Sequence, residues 1–480
     1  MSFSPLDILA ARHMGAESDS DRFHLFCYLA GAYRLGKMYV EIADDPSLLF
    51  DELPEGFAES IKRAYVDLES EGTGYVKTEG RLYLASSFQM SQNILNHYDR
   101  LQKSQLRFSC DIEKAKAFLA NEPVTDEQKD AILQALKTPV AFITGGPGTG
   151  KTYTAGLFVK TLLSEASLRV VLAAPTGKAA ANLAKSIQRA LGKSIDTKTL
   201  HALLQLRPLA YAAETQALPY DLVIVDESSM VDARLFEKLL ASMETGTRLL
   251  FLGDVNQLPP VEPGAPFAEY AEGTSCLTTC LRTELQSIIT LAKLVSEQKA
   301  SDAISFLQNA SSSSGISLTL MTDAEMEKMV TTQVAYEKVR LLTPMKTGAL
   351  GTEHINAALF AHFQKKQGKA REVPIMVLKN DYTLDLSNGQ MGMATADEAF
   401  FETENGVKTI PRILLGSHEV AFCISVHKSQ GSEFDEVLLL LPKGSERFGS
   451  KMLYTAITRA KSRLTIWSSE SVLQDTILRV

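Results

Sequence analysis

The run Gly145-Gly-Pro-Gly-Thr-Gly-Lys-Thr152 constrains this chain more tightly than any other part of its sequence. It follows a short apolar, β-rich run, Val140–Thr144, and opens a segment with helical patterning. In that context a glycine-rich loop curls its backbone N–H groups around a phosphate, and the helix N-terminus adds partial positive charge. Gly145, Gly146, Pro147, Gly148, Thr149 and Gly150 form the cradle. Lys151 is placed to reach the outer phosphates of a nucleoside triphosphate, and the Thr152 hydroxyl to ligate Mg²⁺. A loop of this kind needs a buried parallel strand behind it, so an α/β fold is expected.

The rest of the chain supports that expectation. Apolar runs at Val140–Thr144, Arg169–Ala174, Leu222–Val225 and Leu249–Leu252 alternate with loops and helical patterns, the rhythm of a parallel sheet covered on both faces. A second series, Val339–Leu342, Ala421–Ser425, Glu436–Leu441 and Arg463–Trp467, predicts a second such sheet. Between its first two strands, residues 371–420 are turn-rich, with Asn388-Gly389 and Asn405-Gly406, and read as a small β insertion. The domain reading is therefore a helical domain over 1–105, a first α/β domain over 106–285, and a second over 286–370 and 421–480. Its 480 residues suit about three domains. Apolar runs such as Val437–Leu441 are far shorter than the roughly 20 residues of a bilayer crossing. No secretory signal is visible at the start, and five scattered cysteines fit a reducing cytoplasm better than a disulfide framework. Cys276 and Cys280 lack a second ligand pair at zinc spacing, so no structural zinc is expected. The net charge of −8 argues against a basic nucleic-acid coat protein, while leaving room for a local groove that grips a strand.

The strand Leu222–Val225 ends in Asp226-Glu227 and is expected to pair with the phosphate-loop strand. Asp226 would then hold Mg²⁺ through water, and Glu227 would orient and deprotonate an attacking water. Gln257, three residues after Gly253-Asp254 at another strand tip, can hydrogen-bond a γ-phosphate and register its loss. Arg459, in the second α/β domain, can stabilise charge on the transferred phosphoryl group when the two domains close. Together these define a nucleotide triphosphatase that uses Mg²⁺.

The ordered series Gly145–Thr152, Ala174-Pro-Thr-Gly-Lys178, Val225-Asp-Glu-Ser-Ser229, Gly253-Asp-Val-Asn-Gln257, Leu342-Thr-Pro-Met-Lys346, Val426-His-Lys-Ser-Gln-Gly431 and Tyr454–Lys461 resembles superfamily 1 DNA helicases. Thr199-Leu-His201, Gly351-Thr-Glu-His-Ile-Asn356 and Asn380-Asp-Tyr382 resemble the branch containing the RecD-type alpha subunit of exodeoxyribonuclease V. The resemblance covers about 125–470 and implies two RecA-like motor domains with an SH3-like insertion. It implies that the amide of Gln128 reads adenine, and that Glu433 lies near ribose. It implies that Arg282 is a second γ-phosphate arginine, although Thr283 follows where Gln is usual. Contacts to DNA phosphates are implied for Thr176, Lys178, Thr199, His201, Lys346, His427, Lys428 and Ser429, with Gln430 and Gly431 bridging strand and nucleotide sites. Lys346 stands where Arg is common, which removes a bidentate fork. The segment from Leu204 to Tyr220 is short for the strand-separating pin of relatives.

The function implied is an ATP-driven motor moving 5′→3′ on single-stranded DNA, also engaging duplex ends. It would serve as a subunit of an exodeoxyribonuclease V complex in double-strand-break repair and recombination. Residues 1–105, through Arg81-Leu-Tyr-Leu84, resemble the region that docks onto RecB- and RecC-like partners. The alternatives are a self-sufficient helicase and a weakly hydrolysing scaffold subunit. No nuclease site is expected, since Asn380-Asp-Tyr-Thr383 lacks the lysine of a nuclease signature, and Trp467 reads as core.

Overall fold

The computed structural model describes residues 3–18, 20–50, 53–206, 216–280, 286–311, 314–332, 339–367, 372–381, 383–403 and 406–479. Arg282 and much of the expected pin segment lie outside these residues.

The first α/β lobe is built on a six-stranded sheet. Its spatial order is Ser275–Leu277, Val140–Gly145, Arg248–Gly253, Leu222–Val225, Val170–Ala174, Asp196–Thr199, and every pairing is parallel. The acid-bearing strand Leu222–Val225 is thus not the neighbour of the phosphate-loop strand, as the sequence suggested. Arg248–Gly253 lies between them, because its run of buried residues fills the centre of the sheet. All four side chains of Leu222–Val225 are buried, as a strand covered on both faces requires. Phe142 stacks on Phe251 at 5.0 Å between ring centres, and Phe236 meets Phe251 at the same distance. Burial of each such ring contributes roughly 1.5–3 kcal/mol.

The second lobe has a five-stranded parallel sheet in the order Ile316–Leu320, Ala460–Ser468, Phe434–Leu441, Arg340–Thr343, Cys423–Ser425. The edge strand Ile316–Leu320 escaped sequence reading because only Ile316 in it is buried. Trp467 is buried in this lobe. The insertion forms a five-stranded antiparallel sheet, Gly406–Pro411, Glu398–Thr403, Met391–Ala394, Val373–Val377, His418–Val420. Within its first loop, Asp381 Oδ1 accepts from the N–H groups of Thr383 and Leu384, a turn-forming role.

The N-terminal region is not purely helical. Helices Pro5–His13, Asp21–Arg34 and Phe57–Val66 pack with a four-stranded antiparallel sheet whose order is Tyr39–Glu41, Arg81–Leu84, Tyr75–Thr78, Glu71–Gly72. The tight two-residue turn Glu79-Gly80, with Gly80 at φ 74°, joins two of these strands. The following helix, Ala85–Gln102, belongs to the first lobe. Its Ile94 and Leu101 are buried in one cluster with Phe142, Val223 and Phe251, and Tyr98 meets Tyr270 at 4.5 Å. Arg100 Nη2 donates to Leu240 O at 2.9 Å. The N-terminal domain also touches the loop after Gly253, where Gly264 N–H donates to Gly36 O at 3.0 Å. No helix among the described residues is long and apolar enough to cross a membrane.

Candidate nucleotide site and inter-lobe cleft

The phosphate loop lies between Val140–Gly145 and the helix Lys151–Glu165. Gly148 and Gly150 adopt φ of 75° and 81°, left-handed values open to glycine at little cost, and this curls the loop into a cup. Lys151 Nζ donates to Gly145 O at 2.6 Å and Gly146 O at 3.0 Å, so its ammonium sits at the mouth of that cup. Thr149 Oγ1 donates to Gly146 O at 2.8 Å and stiffens the bend.

Gln128 is buried beside the loop. Its Oε1 accepts from Thr125 N–H at 3.1 Å, completing a reciprocal cap of the helix Asp126–Ala135, and its Nε2 donates to Thr149 O at 3.1 Å. Both ends of the amide are therefore engaged with backbone, linking the helix start to the phosphate loop. An adenine contact would have to share or displace these bonds.

Asp226 and Glu227 follow the central strand as the sequence implied. Thr152 Oγ1 and Asp226 Oδ2 stand 3.3 Å apart, two oxygens of the hardness that Mg²⁺ prefers. Glu227 occupies the left-handed region at φ 52°, ψ 39°, held in part by its N–H donating to Asp226 Oδ1 at 2.8 Å. Burial raises both carboxyl pKa values. At Glu227 the Asp226 charge adds to the rise, while Arg459 and Lys151 oppose it. Lys151 belongs to the first lobe and Arg459 to the second, so the acidic pair lies at the cleft between them.

Arg459 is buried, with Nε donating to Thr455 O at 3.0 Å and Nη1 to Ser432 O at 3.2 Å. Gln257 is also buried, and its Oε1 has no hydrogen-bond partner. An orphaned acceptor at the cleft is unfavourable by about 1–3 kcal/mol until a donor arrives. The donor set and this vacancy fit a nucleotide with Mg²⁺.

Several bonds cross between the lobes. Tyr454 OH donates to Asp254 Oδ2 at 2.8 Å, Leu258 N–H to Thr455 Oγ1 at 2.8 Å, and Gln430 Nε2 to Leu258 O at 3.2 Å. Lys178 is drawn into the same seam, donating to Ser432 Oγ at 2.8 Å. Burial, then the charges of Lys461, Arg340 and Arg459, lower its pKa, with Glu433 opposing. A residue expected on DNA phosphates thus spans the lobes here. Glu433 itself is exposed.

The remaining expected DNA contacts divide. Thr176 and Thr199 each cap a helix, accepting from Ala179 and Ala202 N–H at 3.2 Å. Lys346 and Lys428 are exposed, and each faces a carboxylate, Glu353 at 3.7 Å and Glu419 at 2.8 Å. His427 is half-buried, which lowers its pKa. Ser429 is fully buried, with its hydroxyl donating to Val426 O at 2.7 Å, a bond that shapes the loop. His201 is exposed and lines a cavity of about 170 Å³ with Tyr33 of the N-terminal part and Met90 and Asp232 of the first lobe. Sequence reasoning named Asp254, Tyr454 and Thr455 only as members of motifs. Their pairing across the cleft has no local signature.

Two RecA-like lobes, one carrying a phosphate loop and the other a buried arginine, joined by hydrogen bonds across the cleft, define a superfamily 1 helicase ATPase. Residues 123–315 match the AAA domain family, and residues 420–467 match the UvrD-like helicase C-terminal domain. RecBCD enzyme subunit RecD of Mycobacterium tuberculosis is 31% identical over 407 residues, covering 74% of this chain and 71% of that protein. The RecD subunit of Haemophilus influenzae is 29% identical, covering 83% of this chain and 78% of its own. An ATP-dependent RecD2 DNA helicase of Deinococcus radiodurans is 32% identical, covering 74% of this chain but half of that protein. The chain belongs to the RecD family of DNA helicases.

Proposed function

We propose that this chain is the ATP-driven motor subunit of a RecBCD-like complex, moving 5′→3′ along single-stranded DNA. The direction and the complex are carried over from the family. The observation that supports the motor reading best is that the phosphate loop and its acidic pair stand on one lobe while Tyr454, Thr455 and Gln430 of the other lobe bond across the cleft beside them. A hydrolytic site completed from both sides couples phosphate chemistry to lobe closure.

With ATP in the cleft, Lys151 would exchange the carbonyls of Gly145 and Gly146 for β/γ-phosphate oxygens. Thr152 and Asp226 would hold Mg²⁺, which when bound neutralises phosphate charge. Glu227 would accept a proton from water as the water oxygen bonds to the γ-phosphorus and the bond to the ADP oxygen breaks. Gln257 would direct its unpartnered Oε1 or its amide N–H at water or phosphate, and Arg459 would stabilise the developing charge. Arg282, by family resemblance, would add a second cation.

Strand contacts would come from Thr176, Lys178, Thr199, His201, Lys346, His427 and Lys428 across the tops of the lobes, mainly to phosphate and therefore weakened by salt. The N-terminal domain would dock the RecB- and RecC-like partners. The test is ATP hydrolysis by the purified chain with and without single-stranded DNA, beside Lys151→Ala. DNA-stimulated turnover that Lys151→Ala abolishes is expected, with nucleotide-free DNA affinity kept within a few-fold. Undiminished turnover in Lys151→Ala would refute the site.

A further inference from the structure

Tyr454 stands in the last turn of the second-lobe helix Gly449–Ile457, yet its hydroxyl reaches Asp254 of the first lobe. The residue adjoins three separate parts of the machinery. It donates to Asp254 Oδ2 at 2.8 Å, in a site where both side chains are almost wholly buried. It lies so close to the phosphate loop that a Cβ at Gly146 would come within 3.2 Å of the phenolic oxygen. Its own helix leads directly to Arg459, whose Nε is bonded to Thr455 O.

Asp254 organises the turn that carries Gln257. Its Oδ1 accepts from Asn256 N–H at 3.0 Å, and its backbone carbonyl accepts from Gln257 N–H at 3.2 Å. The two carboxylate oxygens thus divide their work. One shapes the Gln257 turn within the first lobe, and the other receives a hydrogen bond from the second. A buried bond to an ionised acceptor is among the stronger neutral-donor hydrogen bonds, and its loss leaves a carboxylate oxygen short of a partner.

We propose that Tyr454 is a positioning residue for hydrolysis, its hydroxyl tying the Arg459 helix to the Gln257 turn through Asp254, beside the phosphate loop. Closure of the cleft is then read by a single phenol placed where the three meet. The inference rests on the ATPase reading above and adds to it a residue that acts through Asp254.

The test uses the full chain and compares wild type, Tyr454→Phe, Asp254→Asn and the double variant, with Lys151→Ala alongside. Tyr454→Phe removes one oxygen and keeps the ring. It should lower the DNA-stimulated kcat about tenfold, equivalent to about 1.4 kcal/mol, while KM for ATP stays within about twofold. Its melting temperature should stay within about 2 °C of wild type. The double variant should be no slower than the worse single variant, since both substitutions alter the same bond. An unchanged kcat in Tyr454→Phe overturns the proposal. So does a fall in kcat accompanied by an equal rise in KM and a lower melting temperature, which is the pattern of a packing defect. So do single effects that multiply in the double variant. Turnover in Lys151→Ala would instead overturn the ATPase reading itself, so the two failures are separable.

Discussion

Glu227→Gln makes the most demanding use of the geometry, because the structure sets the sign of two independent effects. The side chain keeps its shape, and the left-handed backbone at φ 52° is a property of the position. What disappears is a proton acceptor. A general base contributes about 10²–10⁴-fold, or roughly 3–5 kcal/mol of the barrier, so kcat should fall by that factor with KM for ATP little changed. Stability should move the other way. Burial and the adjacent Asp226 raise the folded-state pKa of Glu227 above its ordinary value of 4.5. A carboxyl with a raised folded pKa binds protons more readily in the folded state, so its contribution becomes unfavourable as pH rises through that range. The Gln variant should therefore melt at or above the wild-type temperature at pH 7 without Mg²⁺ or nucleotide, and the gap should close as pH falls below about 4.5. Phosphate release with saturating single-stranded DNA and thermal melting from pH 4 to 8 measure both arms. A variant within about tenfold of wild-type kcat would refute the assignment of the base. A variant that melts lower at pH 7 would refute the electrostatic account of the acidic pair.

Three further outcomes follow from features away from the acidic pair. Leu101→Ala empties a fully buried site in the core shared by the helix Ala85–Gln102 and the first sheet, and should cost about 2–5 kcal/mol in denaturant melts of the intact chain. Glu419→Gln frees Lys428 from its 2.8 Å ion pair and should tighten single-stranded DNA binding a few-fold at low salt, with the difference shrinking as salt rises, read by fluorescence anisotropy. Asp7 is buried beneath Arg34. Burial favours its neutral form, but bonds from Arg34 and Ser4 outweigh that and lower its pKa below 3.8. Its stabilising contribution is thus present above that value and lost as pH falls through the lowered one, so Asp7→Asn should flatten the acid limb of N-terminal unfolding followed by hydrogen exchange.

What the sequence disclosed and what it hid follow from the range of the interactions concerned. The cup formed by Gly148 and Gly150, the acids after Val225 and the insertion between Arg340–Thr343 and Cys423–Ser425 depend on contiguous residues, so their spacing carries the information. The direction in which Lys178 reaches depends on Ser432, 254 residues away, and no local pattern encodes that. Ser429 sits in a motif associated with strand contact, yet its hydroxyl is used to form the turn, a choice made by burial. Gln128 shows the same effect, its amide committed to the loop behind it. The helix Ala85–Gln102 is amphipathic on its own, and only the assembled sheet determines which core it joins.

That helix has a mechanical consequence. Its 18 residues make a rod of about 27 Å, rooted along the first lobe by Ile94, Leu101 and the Arg100 bond to Leu240. The N-terminal domain is mounted on the end of this rod and is pinned again where Gly264 meets Gly36. A body that grips residues before Ala85 therefore grips the first lobe as well. If such a body is held still, the first lobe becomes the stator, and the cycle of opening and closing is delivered as displacement of the second lobe and the β insertion it carries.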